Sequence, residues 1–239
     1  MEILKRHQQD KLAKSLLAGP WRLATAFSGM GTAEVAARHL VSAAQKHGFL
    51  QADLNLAWAC DNARTCQKLL LKHKCCLFPD ICKTVRYFSM KGITNTKQLT
   101  ARLLKLLAVH GKELASKRTH CLLHQRRCSL DPGAGEIFIG GTSCVAWSTI
   151  GSRLGAADPS TKSLVAFVLQ AATRPLFVHE NVKGFPDLLE ATIGHSHRIY
   201  AIEVHPKDVG FGVIARPRRY RIGIRKDVKQ AGLVSVVSV

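Results

Sequence analysis

Residues 21–48, "WRLATAFSGMGTAEVAARHLVSAAQKHG", hold three elements in a row. "WRLATAF" is short and almost continuously apolar, the pattern of a strand buried on both faces. "SGMGT" follows, with Gly29 and Gly31 free to take backbone shapes that other residues resist. "AEVAARHLVSAAQKHG" then repeats small and apolar residues at helical spacing. A buried strand, a glycine turn and a helix form the opening unit of a parallel α/β sheet.

The same grammar continues downstream. "LNLAWACD" (54–61) predicts a second apolar strand ending in an acid, and "NARTCQKLLLKH" a helix. "CLFPDI" (76–81) predicts a short third strand. A Lys/Arg-rich helical stretch spans 96–118, before the strand "EIFIGG". "TKSLVAFVLQAAT" predicts a helix, "PLFVHEN" a strand and "GFPDLLEATI" a helix, with "HRIYAIEVH" and "RYRIGIRK" as closing strands. The fold class implied is α/β, a doubly wound, mostly parallel sheet. Ligands of such sheets sit outside the carboxyl ends of the strands. There the chain places its glycine loop, Asp61, Asp80, the Cys144 loop and Glu180.

Composition narrows the partners. The 239 residues are 46% hydrophobic, enough for a sizeable core. Lys and Arg number 35 against 16 acids, a formal charge of +19 that favours an anionic partner, nucleic acid first. A basic organellar or ribosome-associated protein is the plainer alternative. No apolar run reaches the roughly 18 residues of a membrane helix. Residues 1–20 carry charges where a signal peptide needs its apolar core. They predict an amphipathic helix stopped by Gly19 and Pro20, and an intracellular chain, nuclear in a eukaryote.

Each loop suggests some chemistry. Gly29 and Gly31 at a helix N-terminus permit close backbone approach to a ligand, although tight packing would also select them. Asp61, at the end of the next strand, suits a ribose diol. Together they suggest an adenosine-containing cofactor, while the absence of a full GxGxxG or GxxxxGK[ST] disfavours a dinucleotide or ATP. Cys144 stands on a Gly/Thr/Ser loop, "GGTSCVAWS" (140–148), where a thiol is presented rather than buried. Its thiolate would be the nucleophile. Glu180, in "FVHENV", suits a proton donor or hydrogen-bonding group, or equally a helix cap. Arg216, Arg218, Arg219 and Arg221 suit phosphate or a reacting base, or else a solvated edge strand protected by charge.

The eight cysteines are expected reduced and form no paired CxxC. Cys75 and Cys76 are adjacent, which argues against a chelate. "THCLLHQRRC" would set His120, His124 and Cys128 on one face if helical. An exposed basic helix is the preferred reading there, and no metal is expected.

Taken in order, these motifs resemble the C5-cytosine-specific DNA methyltransferase family, which is S-adenosylmethionine-dependent. "TAFSGMGT" is similar to its first motif, "CD" (60–61) to the ribose-binding acid, and "FPDI" (78–81) to the adenine-binding Asp-Ile. "GGTSCVAWS" resembles the nucleophile loop, "HENV" the Glu-Asn-Val motif and "FGVIARPRRYRIGI" the arginine motif. The match covers most of residues 21–226. It implies a Rossmann-like class I methyltransferase fold, with Phe27, Ser28, Gly29, Gly31, Asp61, Asp80 and Ile81 around S-adenosyl-L-methionine. It implies Cys144 as the nucleophile on cytosine carbon 6, Glu180 on the ring edge, Arg218 steadying the base or the glutamate, and Arg216 the loop. DNA is the substrate implied, with transfer RNA and a binding module without activity as alternatives. Ser143 stands where the family has proline, and Ile214 near its glutamine. The implied organisation is a catalytic domain over 21–228 with a basic insert at about 92–131, and a tail over 229–239. The family continues beyond the arginine motif into a target-recognition region. A truncated chain, or a partner chain supplying that region, is therefore expected.

Overall fold

The computed structural model describes residues 21–48, 53–130, 137–209 and 216–227. The expected N-terminal helix, the tail and Ile214 lie outside these residues.

Among the described residues, nine strands and five α-helices follow one another. β1 is Trp21–Ala26, α1 Thr32–Lys46, β2 Leu54–Cys60, α2 Arg64–Leu70 and β3 Cys76–Phe78. Then come α3 (Thr96–Ala115), β4 (Arg118–Cys121), β5 (Arg126–Ser129), β6 (Ile137–Gly141) and α4 (Lys162–Ala171). The chain closes with β7 (Leu176–Asn181), α5 (Leu188–Ile193), β8 (His197–Val204) and β9 (Arg218–Arg225). Seven strands form one sheet in the order β3-β2-β1-β6-β7-β9-β8. β3, β2, β1, β6 and β7 pair in parallel, and β9 runs antiparallel between β7 and β8. This order, with one reversed strand next to the edge, is the Rossmann-like methyltransferase sheet that the motifs implied. Parallel neighbours end on the same side, so the loops after β1, β2, β3, β6 and β7 share one edge.

The strands are apolar because both faces are covered. A run of rings fills one face. Trp58 packs on Phe78 and Phe138 at 5.8 and 5.7 Å between centroids, Phe138 stacks on Phe167 at 4.9 Å, and Phe167 meets Phe177 at 5.9 Å. α4 lies over them and is buried from Leu164 to Ala171.

One alternative reading and one expectation from the sequence change here. The last strand is not a solvated edge, because β9 is hydrogen-bonded on both sides. Its Arg221 is 1% exposed and pairs with Asp187 and Glu190 at 2.7 and 2.8 Å. The stretch 119–128 is not a basic helix. β4 and β5 form an antiparallel hairpin, with Gln125 at φ 51°, outside the helical region. Leu122 N–H donates to Leu77 O at 2.7 Å, docking the hairpin on β3. That docking is a tertiary contact, invisible to a local pattern that fits helix and hairpin alike. Within the basic insert, α3 turns Leu99, Leu103, Gly111 and Ala115 inward against α4 and α5 and leaves Lys97, Arg102, Lys105 and Lys112 exposed.

Candidate active site

The first loop turns on three left-handed residues, Phe27, Gly29 and Gly31, at φ 57°, 56° and 89°. Ser28 N–H donates to Cys60 O at 3.0 Å, and Gly29 N–H to Asp61 Oδ2 at 2.8 Å. Asp61 Oδ1 accepts from Ala63 N–H at 2.9 Å. Asp61 therefore braces the glycine loop from the neighbouring strand, besides any ligand it meets. The two glycines divide their duties. A Cβ on Gly29 would meet nothing within 4 Å, so open space lies over it. A Cβ on Gly31 would lie 2.8 Å from His73 Nε2, and its φ of 89° suits glycine whatever the space around it.

Asp80 Oδ1 accepts from Cys82 N–H at 2.8 Å and caps a short 3-10 turn. Ile81 is 1% exposed and belongs to the core, which leaves its side chain no open surface. Phe27 is half-buried on the same core. Sequence reasoning passed over Thr25, whose hydroxyl contacts Ser28 Oγ at 2.8 Å and the carboxyl of buried Glu34. An acid in the first turn after a glycine loop was the available signal.

The Cys144 loop begins where β6 ends. Cys144 O accepts N–H donors from Trp147 at 3.0 Å and Ser148 at 2.8 Å, making a tight turn around a half-buried cysteine. Ser143 N–H donates to Ser163 Oγ at 3.2 Å. A proline has no N–H to give, so Ser163 is the acceptor that suits serine at this position. Trp147 braces the far side of the turn against Phe185, edge to face at 5.6 Å. Asn181 Nδ2 donates to Thr142 O at 3.1 Å and Thr142 Oγ1 at 3.0 Å, tying the loop to the end of β7. The exposed apolar residues Val145, Ile150 and Leu154 follow, with Ile150 98% exposed.

Glu180 sits opposite Gly141 in the β6–β7 register and opposite Tyr220 in β7–β9. Its Oε2 would be 2.8 Å from a Cβ on Gly141, so glycine makes the room for the carboxylate. Arg218 Nε binds Glu180 Oε1 at 2.7 Å. Strand alternation puts Arg218 and Tyr220 on the face of Glu180 and sends Arg219 and Arg221 to the other. Arg219 pairs with Glu203 there at 2.6 Å. Arg216 is exposed and makes no ion pair among the described residues. The structure thus joins Glu180 with Arg218, and Gly29 with Asp61, while Ile81 is withdrawn into the core.

Beneath this site lies His179, fully buried between Phe167 and Phe185, with Nε2 2.8 Å from Thr142 Oγ1. Burial, then the Arg221 charge, push its pKa down to about 3. Above pH 6.5 the ring is neutral folded or unfolded. Below that value the unfolded chain takes a proton that the folded chain refuses, so stability is lost as the pH falls. Between pH 7 and 5 the loss should be about 2 kcal/mol. Burial likewise lowers His197, with the same sign. Urea unfolding at the two pH values checks this, and His179→Gln should remove most of the difference. An unchanged slope in that variant refutes the assignment.

No protein-family model matches the sequence, and no curated protein matches it. Solved structures do match. An Escherichia coli prophage protein described as a DNA modification methyltransferase superposes with a TM-score of 0.52 at 14% identity, over 87% of this chain and 48% of that one. S. pombe Dnmt2 methyltransferase gives 0.48 at 13%, over 87% and 50%, and the Entamoeba histolytica methyltransferase EhMeth 0.48 at 15%, over 86% and 53%. The chain spans about half the length of the structures it matches. Its fold is the methyltransferase fold.

Proposed function

We propose that this chain carries the catalytic part of a cytosine-C5 methyltransferase acting on nucleic acid, with DNA as the first substrate. The observation that carries the reading is the arrangement at one sheet edge. A cysteine loop follows β6, an arginine-held glutamate ends β7 beside it, and an acid-braced glycine loop follows β1. The motifs follow one another along the chain in the family's order, and the first five lie at the ends of β1, β2, β3, β6 and β7.

In this reading Cys144 Sγ adds to carbon 6 of a flipped-out cytosine. Glu180 hydrogen-bonds the ring nitrogen and exocyclic amine, and Arg218 fixes the rotamer of that carboxylate. Addition at carbon 6 pushes ring electrons toward carbon 5. S-adenosylmethionine supplies an electrophilic methyl group to carbon 5. Loss of the carbon-5 proton then expels Cys144. Gly29, Asp61 and the Asp80 turn hold the cofactor, and the open space over Gly29 suits a ligand lying on backbone. Arg216 and the exposed basic residues of α3 and the hairpin attract phosphate. The exposed apolar residues 145, 150 and 154 stand beside the nucleophile, where a displaced base leaves a gap to fill. A target-recognition region, in the remainder of a longer protein or in a partner chain, completes the enzyme.

Transfer of labelled methyl from S-adenosylmethionine to duplex DNA and to transfer RNA tests this. Label at carbon 5 of DNA cytosine is expected. Label in RNA alone would reassign the substrate. No label with the cofactor bound and the recognition region supplied would leave a nucleic-acid-binding module. Asp61→Ala should weaken cofactor binding by roughly 10- to 100-fold, the loss of a charge-assisted hydrogen-bond pair. Calorimetry measures it, and unchanged affinity rejects the ribose role.

A further inference from the structure

Four side chains away from this site converge. The sulfurs of Cys76, Cys121 and Cys128 and a ring nitrogen of His124 all lie within 4.8 Å of one another. His124 Nδ1 stands 3.5 Å from Cys76 Sγ, 3.6 Å from Cys121 Sγ and 3.4 Å from Cys128 Sγ. Hydrogen bonding does not account for this. A ring nitrogen carries either one proton or one lone pair, so it serves one thiol and leaves the other two crowded against it. A metal ion at the centre does account for it. With zinc–sulfur near 2.3 Å and zinc–nitrogen near 2.0–2.1 Å, a tetrahedron has nitrogen–sulfur edges of about 3.6 Å. The three observed distances match that edge. An iron–sulfur cluster would hold its ligands much farther apart.

We infer that Cys76, Cys121, His124 and Cys128 bind one zinc ion in a Cys₃His structural site. Four protein ligands close the coordination shell and leave no position for a substrate, which is the mark of a structural rather than a catalytic zinc. Placement agrees. Cys76 opens β3, at the end of the strand away from the Asp80 turn, while Cys121 ends β4, His124 lies in the turn and Cys128 is in β5. The ion therefore staples the hairpin to the edge of the main sheet. A two-stranded hairpin is marginal alone, and β4–β5 is its own two-stranded sheet. The neighbouring Cys75 does not interfere, because it packs on the opposite side of β3 with Leu70 and Leu77.

The full chain, expressed with added zinc, should hold about one zinc per molecule by mass spectrometry of the metal. Cys128→Ser should lose it and Cys66→Ser, outside the cluster, should keep it. Chelation should lower Tm by roughly 5–10 °C for a chain of this size. Cobalt exchanged for zinc should show the intense visible bands of a tetrahedral ion with thiolate charge transfer. His124→Cys keeps four ligands and so keeps the metal, but its cobalt spectrum should shift toward that of four sulfurs. This second variant decides the matter even if Cys128→Ser fails to fold. Less than about a fifth of an equivalent of zinc in folded wild-type chain would overturn the site. So would an octahedral cobalt spectrum, one unmoved by His124→Cys, or a disulfide joining any two of the three cysteines.

Discussion

Cys144→Ser should lower cytosine methylation by at least about 10³-fold, because a serine hydroxyl at neutral pH is a far weaker nucleophile than a thiol. The substitution exchanges one side-chain sulfur for an oxygen at a half-buried position and leaves the turn, which the Cys144 carbonyl closes, in place. Stability and cofactor affinity should therefore be unchanged. A sharper readout is available. Cytosine bearing fluorine at carbon 5 offers no proton to remove, so the bond from Cys144 Sγ to carbon 6 should persist as a covalent adduct. Adduct formation should require S-adenosylmethionine and should vanish in Cys144→Ser. Peptide mapping of the adduct checks the assignment directly. An adduct on any of the other seven cysteines, or residual activity within tenfold of wild type, rules Cys144 out as the nucleophile.

A large loss of stability should come from Gly223→Ala, a position with no chemical role. Gly223 faces Phe177 across the β7–β9 ladder. A Cβ there would lie 2.0 Å from one ring carbon of Phe177 and 2.2 Å from another. The ring cannot swing away, because it is fully buried between Phe167 at 5.9 Å and His197 at 5.4 Å. Nor can β9 shift, since it is hydrogen-bonded on both sides. Overpacking of this kind costs about 3 kcal/mol, the upper end of the usual range. For a chain of this length Tm should fall by roughly 6–12 °C. Phe177→Leu in the same chain should recover part of that loss by emptying the space the methyl needs. If Gly223→Ala melts within about 2 °C of wild type, the ladder is looser than this geometry requires.

Much of the fold was legible along the chain. Short apolar runs alternating with amphipathic helices imply a parallel α/β sheet, because strands covered on both faces lose their polar alternation. The clustering of Gly29, Asp61, Asp80, Cys144 and Glu180 after strands was equally legible. Less visible was the division of labour among them. Gly29 and Gly31 read alike, but only Gly29 faces open space. Arg218 and Arg221 read alike, but one holds Glu180 and the other is buried against α5. Ile81 reads as a cofactor contact and lies in the core. In each case a partner distant in sequence decides the role.

The cysteines mark the limit most clearly. Their spacing argued against a chelate, and a helical reading of residues 119–128 grouped His120 with His124 and Cys128. The hairpin instead turns His120 outward and brings in Cys121, and the fourth ligand, Cys76, is 48 residues from His124. Outside residues 119–128, local sequence by itself determined which of the described segments become strands and helices, and which polar groups follow them, because hydrophobic period and glycine placement act within a few residues. Tertiary structure alone decided which loops meet, which arginine touches the glutamate, and that three thiols and an imidazole share one point. Those outcomes depend on the docking of the hairpin against β3 and on the pairing of β9 with β7. Strand pairing is set by burial across the whole sheet, not by the residues next to it in the chain.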